Sequence, residues 1–329
     1  MNLPHTVLFI NEKDVLDLLT PADAIAAVED TFLHIGLGDV TLGDIALLHV
    51  DAARRNNFHS MPAVLHHKNV AGVKWIPTYS APLPGFPFSR GNLVILSDAA
   101  TGWPLAIIGA SNITTMRTAG GHGVVQAKYL AQKDPQTLSV FGCGAQAKAG
   151  IRGFLTQFPT IQTIRLFSRS REPMEKLQQA LAGRVEVVLC DTPTAALEGS
   201  RLVLMASGAR QPLVTADDLR PGMTIIGMEG FRDLDPRIAK TADKWYLGHL
   251  KADSRILESP ILSAGGQLSA DDIYADLTEV LTGKVAGREN DDEIIISTHM
   301  GLGAHDVSCA ELIYRRAVAR GVGQTLLLD

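Results

Sequence analysis

Two features of this sequence are suited to chemistry: a lysine inside an apolar run and a glycine-rich turn. Lys74 stands in Val70-Ala-Gly-Val-Lys-Trp-Ile, where an unpaired ammonium is costly to bury. Two readings stay open for it. Either it meets a fixed anion, or the strand lies at an edge and the lysine reaches water. The turn is Leu138-Ser-Val-Phe-Gly-Cys-Gly-Ala-Gln-Ala, which sets Gly142, Gly144 and Ala147 in a G-x-G-x-x-A pattern. Gly142 permits a tight turn, Gly144 lets backbone approach a pyrophosphate, and Ala147 lets helix pack on strand. Ala145 and Gln146 open that helix, whose first N–H groups and dipole would hold phosphate charge. The alternative is a plain strand-to-helix turn.

The second strand of such a unit ends in Leu166-Phe167-Ser168-Arg169. An NAD-selective site places Asp or Glu there for the ribose 2′-hydroxyl. Ser168 followed by Arg169 favours a 2′-phosphate, hence NADP(H) over NAD(H), unless Arg169 merely begins the next helix in solvent. A second glycine pair, Gly301-Leu-Gly303, precedes the last helix with Asp306 in its first turn. It reads as a sharp connection, because a further βαβ unit needs about 30 residues. His66-His67-Lys68 reads as a polar turn, since no second ligand cluster has metal spacing, and no metal site is expected. Cys143 sits where a small residue fits the turn, with no paired base for a nucleophilic role.

These residues need elements to position them. Asn11 and Thr20-Pro21 each precede helical patterns and supply the oxygen that orphan helix N–H groups require. From about Ile45 to Ile108 short strand-like runs are broken by Pro and Gly, and Ser97–Pro104 reads as a turn between antiparallel strands. After Arg117 the texture changes to short apolar strands alternating with helices: Leu138–Phe141, Thr163–Phe167, Arg171–Leu181, Val185–Leu189, Leu202–Met205 and Met223–Gly227. That alternation predicts a parallel sheet covered on both faces. Asp253–Asp292 reads as helical and loop-like, followed by a strand at Glu293–Ser297 and a helix from about His305 to Arg320.

Length and charge narrow the class. The 329 residues carry 30 Lys+Arg against 35 Asp+Glu, with 46% apolar residues and 20% charged. That is enough chain for about two domains and excludes a disordered polymer. A net charge of −5 without a basic run argues against nucleic acid as the main partner. No apolar stretch reaches the roughly 18 residues of a membrane span. The opening residues lack a signal-peptide pattern, and Cys143, Cys190 and Cys309 show no paired spacing. A cytoplasmic α/β enzyme is expected.

An ordered set of motifs then resembles the ornithine cyclodeaminase/mu-crystallin family over nearly the whole chain. It runs Gly72-Val-Lys74, Thr101-Gly-Trp-Pro-Leu-Ala, Thr115-Met-Arg117-Thr118-Ala119, Lys128-Tyr-Leu-Ala, Gly142-Cys-Gly-Ala-Gln-Ala, Gly227-Met-Glu229, Asp233-Leu-Asp-Pro and Gly301-Leu-Gly-Ala-His-Asp306. The resemblance implies an α/β fold: a Rossmann dinucleotide-binding domain, 117–296, inserted into a second α/β substrate and dimerisation domain built from 1–116 and 297–329. It implies a homodimer, and hydride transfer between nicotinamide and the α-carbon of a small amino or imino acid. Lys74 and Arg117 map onto its substrate-carboxylate cations, with Arg117 and Thr118 also beside the cofactor, and Glu229 onto its acid/base.

Three departures stand out. Glu229 replaces the usual Asp, in a loop to Asp233 about two residues short. The run RTAGGHGVVQ carries one residue more than the family pattern. No arginine occupies the early strand Gly43–His49, leaving His49, Arg54 or Arg55 as the candidate third carboxylate contact. Three functions stay open: an NAD(P)H-dependent imine reductase or amino-acid dehydrogenase, an ammonia-releasing cyclodeaminase with recycled NAD, and a non-catalytic ligand-binding protein.

Overall fold

A computed structural model describes residues 5–53, 56–79, 91–228, 231–253, 256–257 and 268–328. Glu229, Arg54 and Arg55 lie outside the described residues. The chain divides into two units, Met1–Arg117 with Leu302–Asp329, and Thr118–Gly301.

The first unit is a mixed sheet with helices packed on it. Its strands are β1 (Thr6–Ile10), β2 (Val40–Leu42), β3 (Ala46–Asp51), β4 (Asn56–Leu65), β5 (Val70–Thr78), β6 (Leu93–Asp98), β7 (Pro104–Gly109) and the late strand β16 (Gln324–Leu327). They lie in the order β16-β1-β7-β6-β5-β4-β2, with β3 also on β4. β1 and β7 are parallel, and the other pairs in this sheet are antiparallel. Both early helices start as their caps predict. Asn11 accepts from the N–H groups of Lys13 and Asp14, and Thr20 forms a reciprocal capping box with Asp23 ahead of the helix Pro21–Leu37. That helix and the helix Gly303–Arg320, through Val307, close on Leu65, Val94, Leu96 and Ile108. Each such side chain contributes roughly 1.5–3 kcal/mol by leaving water.

The second unit is a Rossmann domain. Its strands are β8 (Thr137–Phe141), β9 (Thr163–Phe167), β10 (Glu186–Leu189), β11 (Leu202–Met205), β12 (Thr224–Gly227), β13 (Lys244–Leu247), β14 (Ala275–Asp276) and β15 (Ile295–Thr298). All pair in parallel, in the order β10-β9-β8-β11-β12-β15-β13-β14. The chain runs outward from β8 to β10 and returns to β11, so the strand order reverses between β8 and β11. In open α/β sheets that reversal is where ligands bind.

The observed division falls after Arg117 and after Gly301 rather than after 116 and 296. The later shift has a plain cause: β15 pairs with β12 and β13 through Thr298, so a cut at 296 would split a strand. The strand β13 went unread because it begins with charge. Lys244 is nonetheless buried, with Nζ 2.8 Å from Glu293 and a further ion pair to Glu289. The pairing holds the Glu293 carboxyl below its usual range against the opposing pull of desolvation. Arg117 ends the helix Ser111–Arg117 and stands directly before a further helical turn. The extra residue of RTAGGHGVVQ coincides with a π-helical turn, Thr118–His122, ahead of the helix Gly123–Leu130. A π turn is how a helix accommodates one inserted residue without unwinding.

Candidate active site

Three charged side chains meet in the interior of the first unit. Lys74 projects from the middle of β5, in register with Met61 on β4 and Val94 on β6. Arg117 ends a helix whose start is fixed by Glu12, which accepts from the backbone N–H groups of Ser111 and Asn112. Asp306 sits in the first turn of Gly303–Arg320, where a carboxylate also suits the helix dipole. Gly303 brings this turn close: a Cβ there would stand 2.5 Å from the Met61 carbonyl oxygen, so another residue would push the helix off β4.

The resulting contacts are short. Lys74 Nζ lies 2.9 Å from Asp306 Oδ2, and Arg117 Nε donates to Asp306 Oδ1 at 3.0 Å. Lys74 and Asp306 are 0% exposed and Arg117 is 4% exposed. Two cations share one carboxylate. Arg117 Nη1 is buried and has no hydrogen-bond partner among the described residues. The guanidinium therefore keeps a donor for one more acceptor, the arrangement that receives a carboxylate. One turn on, burial pushes the Cys309 thiol up to about 12, helped by the Asp306 charge, which leaves it inert.

His49 does not join this group. It is exposed on β3, opposite Asn57 of β4, which pairs in turn with Thr78 at the end of β5, four residues along from Lys74. β3 presents nearly its whole length to solvent, so the strand carries His49 with it. The role left by the absent early arginine has no holder among the described residues. Asp306 as the centre of the cluster was missed by residue-type reasoning. Its available signal was an acidic residue placed directly after a glycine-bounded helix start.

In the second unit the glycine turn sits at the reversal of strand order. Gly142 has φ +112°, and a Cβ on it would lie 2.3 Å from the Ala206 carbonyl oxygen, so both backbone conformation and space require glycine. Its N–H donates to the carbonyl of Phe167, the last residue of β9, at 2.8 Å. Gly144 caps the helix Ala145–Gln157 with no side-chain acceptor, and nothing lies within 4 Å of where its Cβ would stand. The first N–H groups of a 13-residue helix are thus open to an anion. Ala147 is fully buried, and Gln146 Oε1 accepts from the Ala119 N–H at 3.1 Å. Ala119 follows Thr118 in the π turn.

A cleft of about 200 Å³ opens over this turn, lined by Gly142, Cys143, Gly144, Ser168, Arg169 and Ala206 among others. The cleft residues fit a dinucleotide: an uncapped helix start for the pyrophosphate, and Ser168 with Arg169 at the ribose position. Burial pushes the Cys143 thiol up, against a hydrogen bond with Ser168.

The turn at His66-His67-Lys68 has partners that sequence spacing did not reveal. His67 stacks on His34 at 3.7 Å, and Asp30, His34 and His67 bring ligand atoms within 4.8 Å of one another. Lys68 Nζ already stands 2.8 Å from Asp30 Oδ2 and supplies the cation there.

A Rossmann domain inserted between the two halves of a second α/β domain defines the class. The sequence pattern of the ornithine cyclodeaminase/mu-crystallin family matches residues 6–321, and the chain belongs to that family. Alanine dehydrogenase of Archaeoglobus fulgidus is 29% identical over 326 residues, covering 97% of this chain and 98% of that one. A Delta(1)-pyrroline-2-carboxylate reductase of Bacillus cereus is 30% identical over 285 residues, 84% of this chain and 86% of its own. Among solved structures, an archaeal alanine dehydrogenase dimer with bound NAD matches with a TM-score of 0.88 at 26% identity, covering 98% of this chain and all of that one. Thermococcus litoralis Delta(1)-pyrroline-2-carboxylate reductase, in complex with NADH and L-proline, matches at 0.85 and 26%, covering 97% and 99%. No helix among the described residues is long and apolar enough to cross a membrane.

Proposed function

We propose that the protein is a nicotinamide-dependent oxidoreductase that reduces a small α-imino acid, or runs the reverse amino-acid oxidation, with NADP(H) preferred over NAD(H). The observation that carries this reading is the buried Lys74–Asp306–Arg117 group, whose spare Arg117 donor calls for a carboxylate. Lys74 and Arg117 hold the substrate carboxylate and so fix the neighbouring imine carbon. When bound, reduced nicotinamide supplies the hydride that this carbon receives. Glu229, two positions after β12 in sequence, is assigned the proton for the imine nitrogen. Gly142, Gly144 and the helix start from Ala145 hold the pyrophosphate. Arg169, with no carboxylate among the described residues lining the cleft, supports the 2′-phosphate preference.

Two further assignments accompany it. The apolar side chains of β3, Leu47, Leu48 and Val50, are 45–59% exposed and suit contact with a second copy, in keeping with the dimeric archaeal relative. The free thiols Cys143, Cys190 and Cys309 suit a reducing cytoplasm.

The test is NADPH and NADH oxidation by purified protein with cyclic ketimine carboxylates and with pyruvate plus ammonia. Turnover is expected, with kcat/KM reduced by about a hundredfold or more in Lys74→Met. Absence of turnover across that panel, with NADPH demonstrably bound, would overturn the reading.

A further inference from the structure

We propose that Glu12 is a positioning residue of the carboxylate site, acting at a distance through the helix that ends in Arg117. The inference rests on the carboxylate-binding reading above and goes beyond it by naming the residue that aims the guanidinium.

Strand register brings Glu12 to its place. β1 and β7 lie parallel with Ile10 opposite Ile108, so the residues that follow the two strands leave the sheet side by side. Asn11 caps the helix Glu12–Leu18 and so fixes the backbone at Glu12. Gly109 gives the room, since a Cβ there would stand 3.0 Å from both the backbone nitrogen and Cγ of Glu12. Across 99 residues of sequence, Glu12 Oε1 accepts from the Ser111 N–H. Its Oε2 accepts from the backbone N–H and the side-chain amide of Asn112. A seven-residue helix, Ser111–Arg117, has few hydrogen bonds of its own to set where it begins. Its first N–H groups are orphans, and one carboxylate satisfies two of them while matching the positive end of the helix dipole. Because the two oxygens engage different residues, the contact sets the rotation of the helix as well as its start. Arg117 stands about 9 Å along the axis from Ser111, too close for that placement to be lost. Asp306 holds the guanidinium by Nε, and the aim of Nη1, the donor left for the incoming group, then follows from where the Arg117 backbone stands. A guanidinium that must meet a carboxylate in one geometry needs such a support.

The test is a double-mutant cycle on purified protein, with NADPH or NADH and either Δ1-pyrroline-2-carboxylate or pyruvate plus ammonia, reading KM and kcat separately. Glu12→Ala is expected to raise KM for the acid about tenfold with kcat changed less than about twofold, because a misplaced Arg117 weakens ground-state and transition-state binding alike. In an Arg117→Met background the same substitution is expected to raise KM by less than about twofold, the group it aims being gone. An equal rise in both backgrounds would show Glu12 acting independently of Arg117 and overturns the proposal, as does an unchanged KM in a folded Glu12→Ala. If Glu12→Ala does not fold, Glu12→Gln decides. Its amide keeps one acceptor and turns a donor toward Asn112, so a rise in KM of about threefold is expected, again lost in the Arg117→Met background. An unchanged KM in Glu12→Gln then overturns the proposal. In each of these cases a raised KM in Arg117→Met alone leaves the carboxylate-binding reading standing. An unchanged KM in Arg117→Met, or no turnover of either substrate by the wild type, overturns both.

Discussion

The two candidate sites are built from opposite materials. In the Rossmann unit the turn at Gly142–Gly144 works through backbone: a positive φ, an uncapped helix start and two positions without a side chain. In the other unit the site is made of side chains at full charge, drawn from β5, the end of Ser111–Arg117 and the start of Gly303–Arg320, and sealed from water. A backbone site tolerates little change of shape. A charged buried site tolerates little change of charge.

That contrast can be broken by substitution, the largest effect coming from charge. Asp306→Ala leaves two buried cations without their carboxylate and is expected to cost about 3–5 kcal/mol. Trp75 and Trp103 lie in the first unit and Trp245 in the second, so denaturant unfolding followed by fluorescence in a Trp245→Phe background reads the first unit alone. A loss under about 1 kcal/mol there would show that the cluster is not the closed ion group described. Gly142→Ala forces a side chain onto the Ala206 carbonyl at a φ few residues adopt. It is expected to destabilise the second unit by about 2–4 kcal/mol, reported by Trp245, and to abolish dinucleotide binding.

A milder case separates a buried ion group from a half-exposed one. Asp23 meets Arg316 through both oxygens, at 2.5 and 2.7 Å, and that guanidinium lowers its carboxyl pKa to about 2. A depressed carboxyl pKa stabilises the fold above the unfolded value near 4, and that stability fades as pH falls from 4 toward 2. Asp23→Asn is therefore expected to cost about 1–2 kcal/mol at pH 7, discounted for partial exposure, with most of that cost lost by pH 2 and the rest below it. A difference that is undiminished at pH 2 would assign the effect to helix capping by Asp23 instead. The smallest effect belongs to Arg169→Ala. Stripped of this charge, the turn should still bind dinucleotide while the NADPH-to-NADH preference falls about tenfold, measured as the ratio of kcat/KM values.

The same contrast explains what could be read from sequence. The glycine turn is local: Gly142, Gly144 and Ala147 fall within one strand–helix junction, so spacing alone conveys the geometry. The strands after Arg117 were legible for the same reason, each being a short apolar run closed by glycine or a helix start. The charged cluster is not local. Arg117 and Asp306 are 189 residues apart, and no periodicity announces that a helix after Gly303 will lie on β4 and β5. Lys74 could be singled out because its neighbours were apolar, but its partner could not. Strand β13 was hidden for a related reason, since Lys244 at its start signals exposure until Glu289 and Glu293 arrive from a distant stretch to neutralise it. His34 and Asp30 beside His67 repeat the lesson on the surface of the first unit.

The division of the chain has a consequence for the order in which the molecule can be made. All eight described strands of the Rossmann unit come from one uninterrupted stretch, whereas the first unit takes β16 and the helix bearing Asp306 from residues 302–329, beyond that stretch. As the chain emerges from the ribosome, the middle can close on itself while the first 117 residues still lack their closing helix. Through that interval Lys74 and Arg117 lack Asp306, which disfavours their burial in a premature core. The acidic residue that completes the site also favours its burial, and it is synthesised only after the whole Rossmann unit.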